Sequence, residues 1–156
     1  MTMATVPQER PEEGTDLGVL SELAGYHLRR ASGAFAADFA RVLDGTGMRQ
    51  VLFGILSVVS ANPGINQGAV GRGLGIQRAN MVALINELVD LGLVERRISD
   101  DDRRAFALST SPAGARMLAE CLSRIRSHEE EMLSDLSAAE RATLIALLTK
   151  VEAKER

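Results

Sequence analysis

Residues 66–98, NQGAVGRGLGIQRANMVALINELVDLGLVERRI, hold three elements in succession and decide the fold. Asn66 is placed to cap a short helix bearing Val70 and Leu74, and Gly75 supplies its C-terminal stop. The interior glycines Gly68, Gly71 and Gly73 each weaken that helix by up to about 1 kcal/mol relative to alanine, so tertiary contacts must hold it. Only Gly75 and Ile76 separate it from a longer helix with Met81, Leu84, Ile85 and Leu88 as its buried stripe, ended by Gly92. Short helix, tight glycine-containing turn and longer helix together make a helix-turn-helix. The period then drops to two. Val94, Arg96 and Ile98 alternate with Glu95 and Arg97, and after the polar run 99–104 the alternation resumes with Phe106, Leu108 and Thr110. This predicts a two-stranded hairpin with a charged tip.

Working outward, Leu17, Leu20, Ala24, Leu28, Ala31, Phe35, Phe39 and Val42 recur at helical steps and predict one amphipathic helix of roughly seven turns. Asp44-Gly45-Thr46-Gly47 breaks it. A second helix is expected from near Met48, with Val51, Leu52, Ile55, Leu56 and Val59 inward, ending before Asn62-Pro63-Gly64. Beyond the hairpin, Ser111-Pro112 gives an N-cap and a first-turn proline for a fifth helix carrying Met117, Leu118, Cys121, Leu122, Ile125 and Met132. Ser137-Ala138-Ala139-Glu140 is a capping-box pattern opening a sixth, with Leu144, Ile145, Leu147, Leu148 and Val151. Residues 1–15, with Pro7, Pro11, Gly14 and several carboxylates, read as a disordered arm. The expected architecture is mainly α with a small β-hairpin wing, one domain over 16–156. Long helices at 16–44 and 112–156 bracket a winged helix-turn-helix at 47–110.

Composition agrees. Of 156 residues, 46% are apolar and 3% aromatic, with no Trp, so the interior is built from aliphatic side chains suited to packed helices. The formal net charge is −3, against the basic footprint usual in nucleic-acid-binding domains. The deficit sits in the arm: Arg10 stands against Glu9, Glu12, Glu13 and Asp16, which leaves the chain from Leu17 onward neutral. A lone cysteine forms no intramolecular disulfide framework, and the N-terminus has no apolar leader. With no apolar run approaching a membrane span, a soluble cytoplasmic protein is expected.

The ordered set 74–82, 91–97, Asp102-Arg103-Arg104-Ala105, Leu108 and Gly114 resembles the MarR family of winged helix-turn-helix regulators. The resemblance runs from Leu17 to the C-terminus and implies a two-fold homodimer built from the first and last helices. It also implies a repressor bound to a pseudo-palindromic, double-stranded DNA operator and released by a small-molecule effector. Gln77 departs from the family by standing where a small N-cap residue is common, and Ala83 by standing where many members carry a basic residue.

The residues support DNA reading independently. A helix buried through Met81, Leu84 and Leu88 turns Gln77, Arg78, Asn80, Val82 and Ala83 outward at its N-terminal half, the end that enters a major groove. Arginine suits guanine, Gln and Asn suit adenine, and Ala or Val meets a thymine methyl. Glu87 and Asp90 sit late, where they repel the backbone least. At the hairpin tip Asp102, Arg103 and Arg104 form mixed-charge surface, and the resemblance implies that Asp102 steadies the tip while Arg104 enters the minor groove. The alternative from another class is a winged-helix module for protein–protein contact, without sequence-specific DNA binding.

Cys121 lies four residues after Met117 and four before Ile125, on the apolar side, where packing is the ordinary role of a thiol. Family members that sense peroxide carry their cysteine near the start of the first helix, and none stands there. His27 and His128 have no second ligand at helical spacing, and Glu129-Glu130-Glu131 lacks a calcium loop, so neither metal nor cofactor is expected. No nucleophile motif, phosphate loop or acid–base pair argues for an enzyme. Arg29 and Arg30, on adjacent faces of the first helix, with Arg49 leave two readings open: ion pairs or phosphate contacts, and an anionic effector site. The stretches 25–32, 49–56 and 76–82 look most like regulators of hydroxycinnamate catabolism that respond to an aroyl-CoA thioester. The resemblance then places the effector, an aromatic acid or its CoA thioester, near Tyr26, His27, Arg29, Arg30, Arg49 and Phe53.

Overall fold

The computed structural model describes residues 15–98 and 106–154, and three of its helices begin at a side-chain cap, Asn66, Ser111 or Ser137. The chain forms two units, one ending at Arg41 and the other beginning at Val42.

In the first unit, a 3-10 turn at Gly18–Glu22 precedes α1, Ala24–Val42. The single seven-turn helix expected from Leu17 is therefore corrected. Gly18 takes φ +54°, the Asp16 carboxylate accepts its N–H at 2.8 Å, and the Ser21 hydroxyl donates to its carbonyl at 2.7 Å. These short-range bonds compete with helical ones, and the chain is extended at Leu23 before α1 begins.

The second unit holds α2 (Gln50–Ala61), α3 (Gln67–Leu74), α4 (Arg78–Asp90), β1 (Val94–Ile98), β2 (Phe106–Thr110), α5 (Pro112–Met132) and α6 (Ala138–Glu152). Helix α2 starts two residues later than its periodicity suggests, since the backbone is still extended at Arg49; Met48 is buried. Asn66 caps α3 by accepting the Ala69 N–H at 2.9 Å, and Gly75 closes it at φ +64°. The core is Leu52, Ile55, Leu56 and Val59 of α2 against Val70, the stripe Met81, Ile85 and Leu88, and Leu108 of the hairpin.

Strands β1 and β2 are antiparallel, with Val94 opposite Thr110, Arg96 opposite Leu108 and Ile98 opposite Phe106. One further rung comes from outside the hairpin. Ile65 bridges Leu108, whose N–H donates to the Ile65 carbonyl at 2.9 Å, and the Gly64 N–H donates to the Leu108 carbonyl at 2.8 Å. The loop before α3 is thereby tied to the hairpin base.

Ser111 accepts the Gly114 N–H at 2.9 Å as the α5 cap, and its hydroxyl donates to the Gly92 carbonyl at 2.6 Å. Among the described residues it is the buried polar side chain. Ser111→Ala is expected to cost about 1–2 kcal/mol, chiefly the lost cap. Urea unfolding checks this; an unchanged midpoint would remove the clamp.

Helix α6 opens with the capping box foreseen. The Ser137 N–H donates to the Glu140 carboxylate at 2.8 Å, and the Ser137 bonds hold that carboxyl below the ordinary glutamate range. Arg141 then reaches back to the end of α5, donating to the Leu133 and Leu136 carbonyls at 2.9 and 3.1 Å and pairing with Glu130 at 2.7 Å. None of the α6 side chains is buried, and Ile145 is 65% exposed.

Candidate nucleic-acid interface and effector residues

Gln77, Arg78, Asn80, Val82 and Ala83 are all exposed along the N-terminal half of α4. The packing of α3 on α4 sets this. A Cβ on Gly71 would lie 3.0 Å from the Ile76 carbonyl and 3.0 Å from Met81 Cγ, so the missing side chain lets the two helices close over the turn. Gln77 is the N-cap by backbone conformation but makes no side-chain cap bond, leaving its amide uncommitted. A concavity of about 570 Å³ opens beside these residues. Its polar lining includes Gln67, Arg72, Gln77 and Arg78, its apolar lining Met81 and Phe106, and among the described residues no carboxylate lines it. The acidic end of α4 lies apart, with Glu87 paired to Arg49. An array of cation, amides and small apolar groups at a helix N-terminus has the chemistry to meet phosphates and base edges.

Arg96 of β1 occupies an inward position of the strand alternation, where an apolar residue would be ordinary. Its Nη2 donates to Asn86 Oδ1 of α4 at 2.6 Å, and its guanidinium lies 5.1 Å from the centre of the Phe106 ring. Sequence reasoning passed over all three residues, although a charge on the core side of a hairpin was the available signal. Asp102, Arg103 and Arg104 lie outside the described residues, as do 1–14.

Among the proposed effector residues, four come together in the first unit. Arg29 and Arg30 both flank Tyr26, their guanidinium carbons 5.9 and 5.7 Å from its ring centre, and Arg30 Nη1 donates to the Tyr26 hydroxyl at 3.2 Å. His27 meets that ring edge-on at 5.5 Å and bonds the Ser21 carbonyl through Nε2 at 3.0 Å. In the second unit, Arg49 lines a shallow cavity with Gln50, Val51, Gly54, Leu74 and Ile76. Phe53 is half-buried and not part of that lining. The Arg49–Glu87 pair is largely solvent-exposed, the kind of ion pair worth 0–1 kcal/mol, roughly, so an incoming anion displaces it cheaply.

Cys121 is fully buried, with its thiol 3.8 Å from Met117 Sδ, and burial pushes that thiol up, opposed by a hydrogen bond with Thr46. It has the surroundings of a packing residue. Among the described residues no three His, Cys, Asp or Glu side chains cluster to hold a metal, and no helix is long and apolar enough to cross a membrane.

Residues 47–105 match the MarR family. A putative transcriptional regulatory protein for the hcr operon of Thauera aromatica is 35% identical over 135 residues, which span 86% of this chain and 81% of that protein. The chain belongs to the MarR family. Its winged-helix fold is also that of the transcriptional repressor CouR solved bound to a 23-mer DNA duplex, with a TM-score of 0.82 and 32% identity over 88% of this chain and 98% of CouR. CouR bound to p-coumaroyl-CoA matches with a TM-score of 0.75 and 32% identity, over 90% of this chain and 99% of that one. The MarR match itself covers α2 to β1 and ends just before β2; the likeness to CouR extends over most of the chain.

Proposed function

We propose that this MarR-family regulator is a homodimeric, cytoplasmic repressor that binds a pseudo-palindromic DNA operator and leaves it when an aroyl-CoA thioester binds. It performs no catalysis. The observation that carries the DNA half is the exposed N-terminal face of α4, where Gln77, Arg78 and Asn80 have no side-chain partners among the described residues, and where Gln77 and Arg78 border a concavity that no carboxylate of the described residues lines. The DNA-bound form of CouR supports the same assignment. Two such helices enter successive major grooves about one turn apart, and Arg104 of each wing enters the adjacent minor groove. Apolar side chains left exposed among the described residues, Val19 at 67% and Ile145 at 65%, favour the two-fold dimer. Release follows when the effector binds more tightly to a dimer whose α4 helices are wrongly spaced.

The test is binding to a duplex from the gene's own upstream region. Arg78→Ala is expected to weaken binding by about 1–3 kcal/mol and to relax the preference at one base pair of each half-site. If wild type binds that duplex no better than scrambled DNA, α4 is not a reader and the fold serves protein contact instead.

A further inference from the structure

Arg96 is an unusual residue to find on the inner face of a hairpin. Its neighbours there, Val94 and Leu108, are buried and apolar. Strand alternation puts Arg96 and Phe106 on the same face, as diagonal neighbours across the ladder, and the cation lies against the ring at 5.1 Å. Across the hairpin-to-helix junction, Nη2 reaches Asn86 Oδ1 at 2.6 Å. Among the described residues no carboxylate pairs with Arg96, and its buried Nε has no partner. Among those residues the side chain makes one bond to α4 and one stacking contact to β2. Such an arrangement uses the planar, multi-donor shape of arginine more than its charge.

Phe106 has a second face. At 47% exposure it closes the concavity whose opposite side is Gln77, Arg78 and Met81 of α4. Guanidinium, amide and ring therefore meet at one point between the hairpin and the reading helix, beside the apolar core that also joins them. We propose that Arg96 is a positioning residue for operator recognition: through Asn86 and Phe106 it sets the hairpin against α4, so that both reach the DNA in one registered pose. This rests on the DNA-reading assignment above.

The experiment compares two duplexes, the operator with its flanks and the same two half-sites cut back to remove them, for wild type, Arg96→Lys and Asn86→Ala. Lysine keeps the charge and loses the fork; Asn86 is exposed, so its truncation leaves the fold intact even where the lysine variant does not fold. Both variants are expected to bind the flanked operator about tenfold more weakly, with hydroxyl-radical protection of the flanks lost and binding to the trimmed duplex changed less than about twofold. Equal losses on both duplexes reduce Arg96 to a general structural role, and no loss on the flanked operator removes it altogether. Wild type that binds the trimmed duplex as well as the flanked one would instead overturn the wing contact itself, an outcome visible before any variant is made.

Discussion

Replacing Gly114 by alanine is expected to destabilise the second unit by about 3 kcal/mol or more, at or above the upper end for overpacking. A Cβ at this position would sit 2.0 Å from the Leu93 carbonyl oxygen and 2.9 Å from its carbon, with Thr110 Cγ2 also at 2.9 Å. Two of the three obstacles are backbone and cannot rotate away. The strand end and the first turn of α5 are also stitched together here by Ser111, whose N–H donates to that same Leu93 carbonyl at 3.0 Å. Relief would require α5 to lift from the hairpin base, exposing the buried Cys121 and Ile125. Gly73→Ala supplies the contrast, since its Cβ meets nothing within 4 Å and the residue is helical. There alanine should stabilise by about 0.5–1 kcal/mol through helix propensity and lost chain entropy. Urea midpoints of the two variants must move in opposite directions; a Gly114→Ala midpoint close to wild type would show that the helix start yields easily.

An aroyl-CoA thioester is expected to dissociate the operator complex at a concentration about 100-fold lower than the corresponding free acid, the equivalent of two charge-assisted bonds. The aromatic moiety is common to both compounds, so the difference isolates the CoA phosphates. Arg29 and Arg30 are the cations proposed to receive them. Both are held beside Tyr26 by weak contacts that an anion outcompetes, and among the described residues neither is tied to a carboxylate. Arg29→Ala with Arg30→Ala is expected to raise the thioester requirement about tenfold while operator affinity changes less than about threefold. Titrating both compounds against the wild-type complex decides the matter. Release by the acid at the same concentration as the thioester, or by neither, would sink the phosphate role; the first result points to a simple aromatic carboxylate as the effector.

Much of this was legible before any coordinates, because it rests on short-range rules. The Asn66 and Ser137 caps, the Gly75 stop, the proline-led start of α5 and the switch from helical to alternating period near Val94 each depend on residues within a turn of one another. The outward face of α4 followed as the complement of its buried stripe. Local chemistry also explains the failure at the N-terminus. Leu17 and Leu20 keep helical spacing, but the bonds of Asp16 and Ser21 around Gly18 outweigh periodicity there.

What the sequence determined by itself is the family, the order of elements and which helix end is free to meet DNA, since patterning and capping are encoded within a few residues. What only the tertiary structure decided is how distant residues meet. Ile65 joining Leu108, Arg96 finding Asn86 and Phe106, Arg49 taking Glu87, Arg141 reaching back to close α5, and the Leu93 carbonyl occupying the space of a Cβ on Gly114 all arise where separate elements are brought into contact. No period or cap specifies such pairs. They depend on the packing angle between elements, which is fixed by the whole core at once.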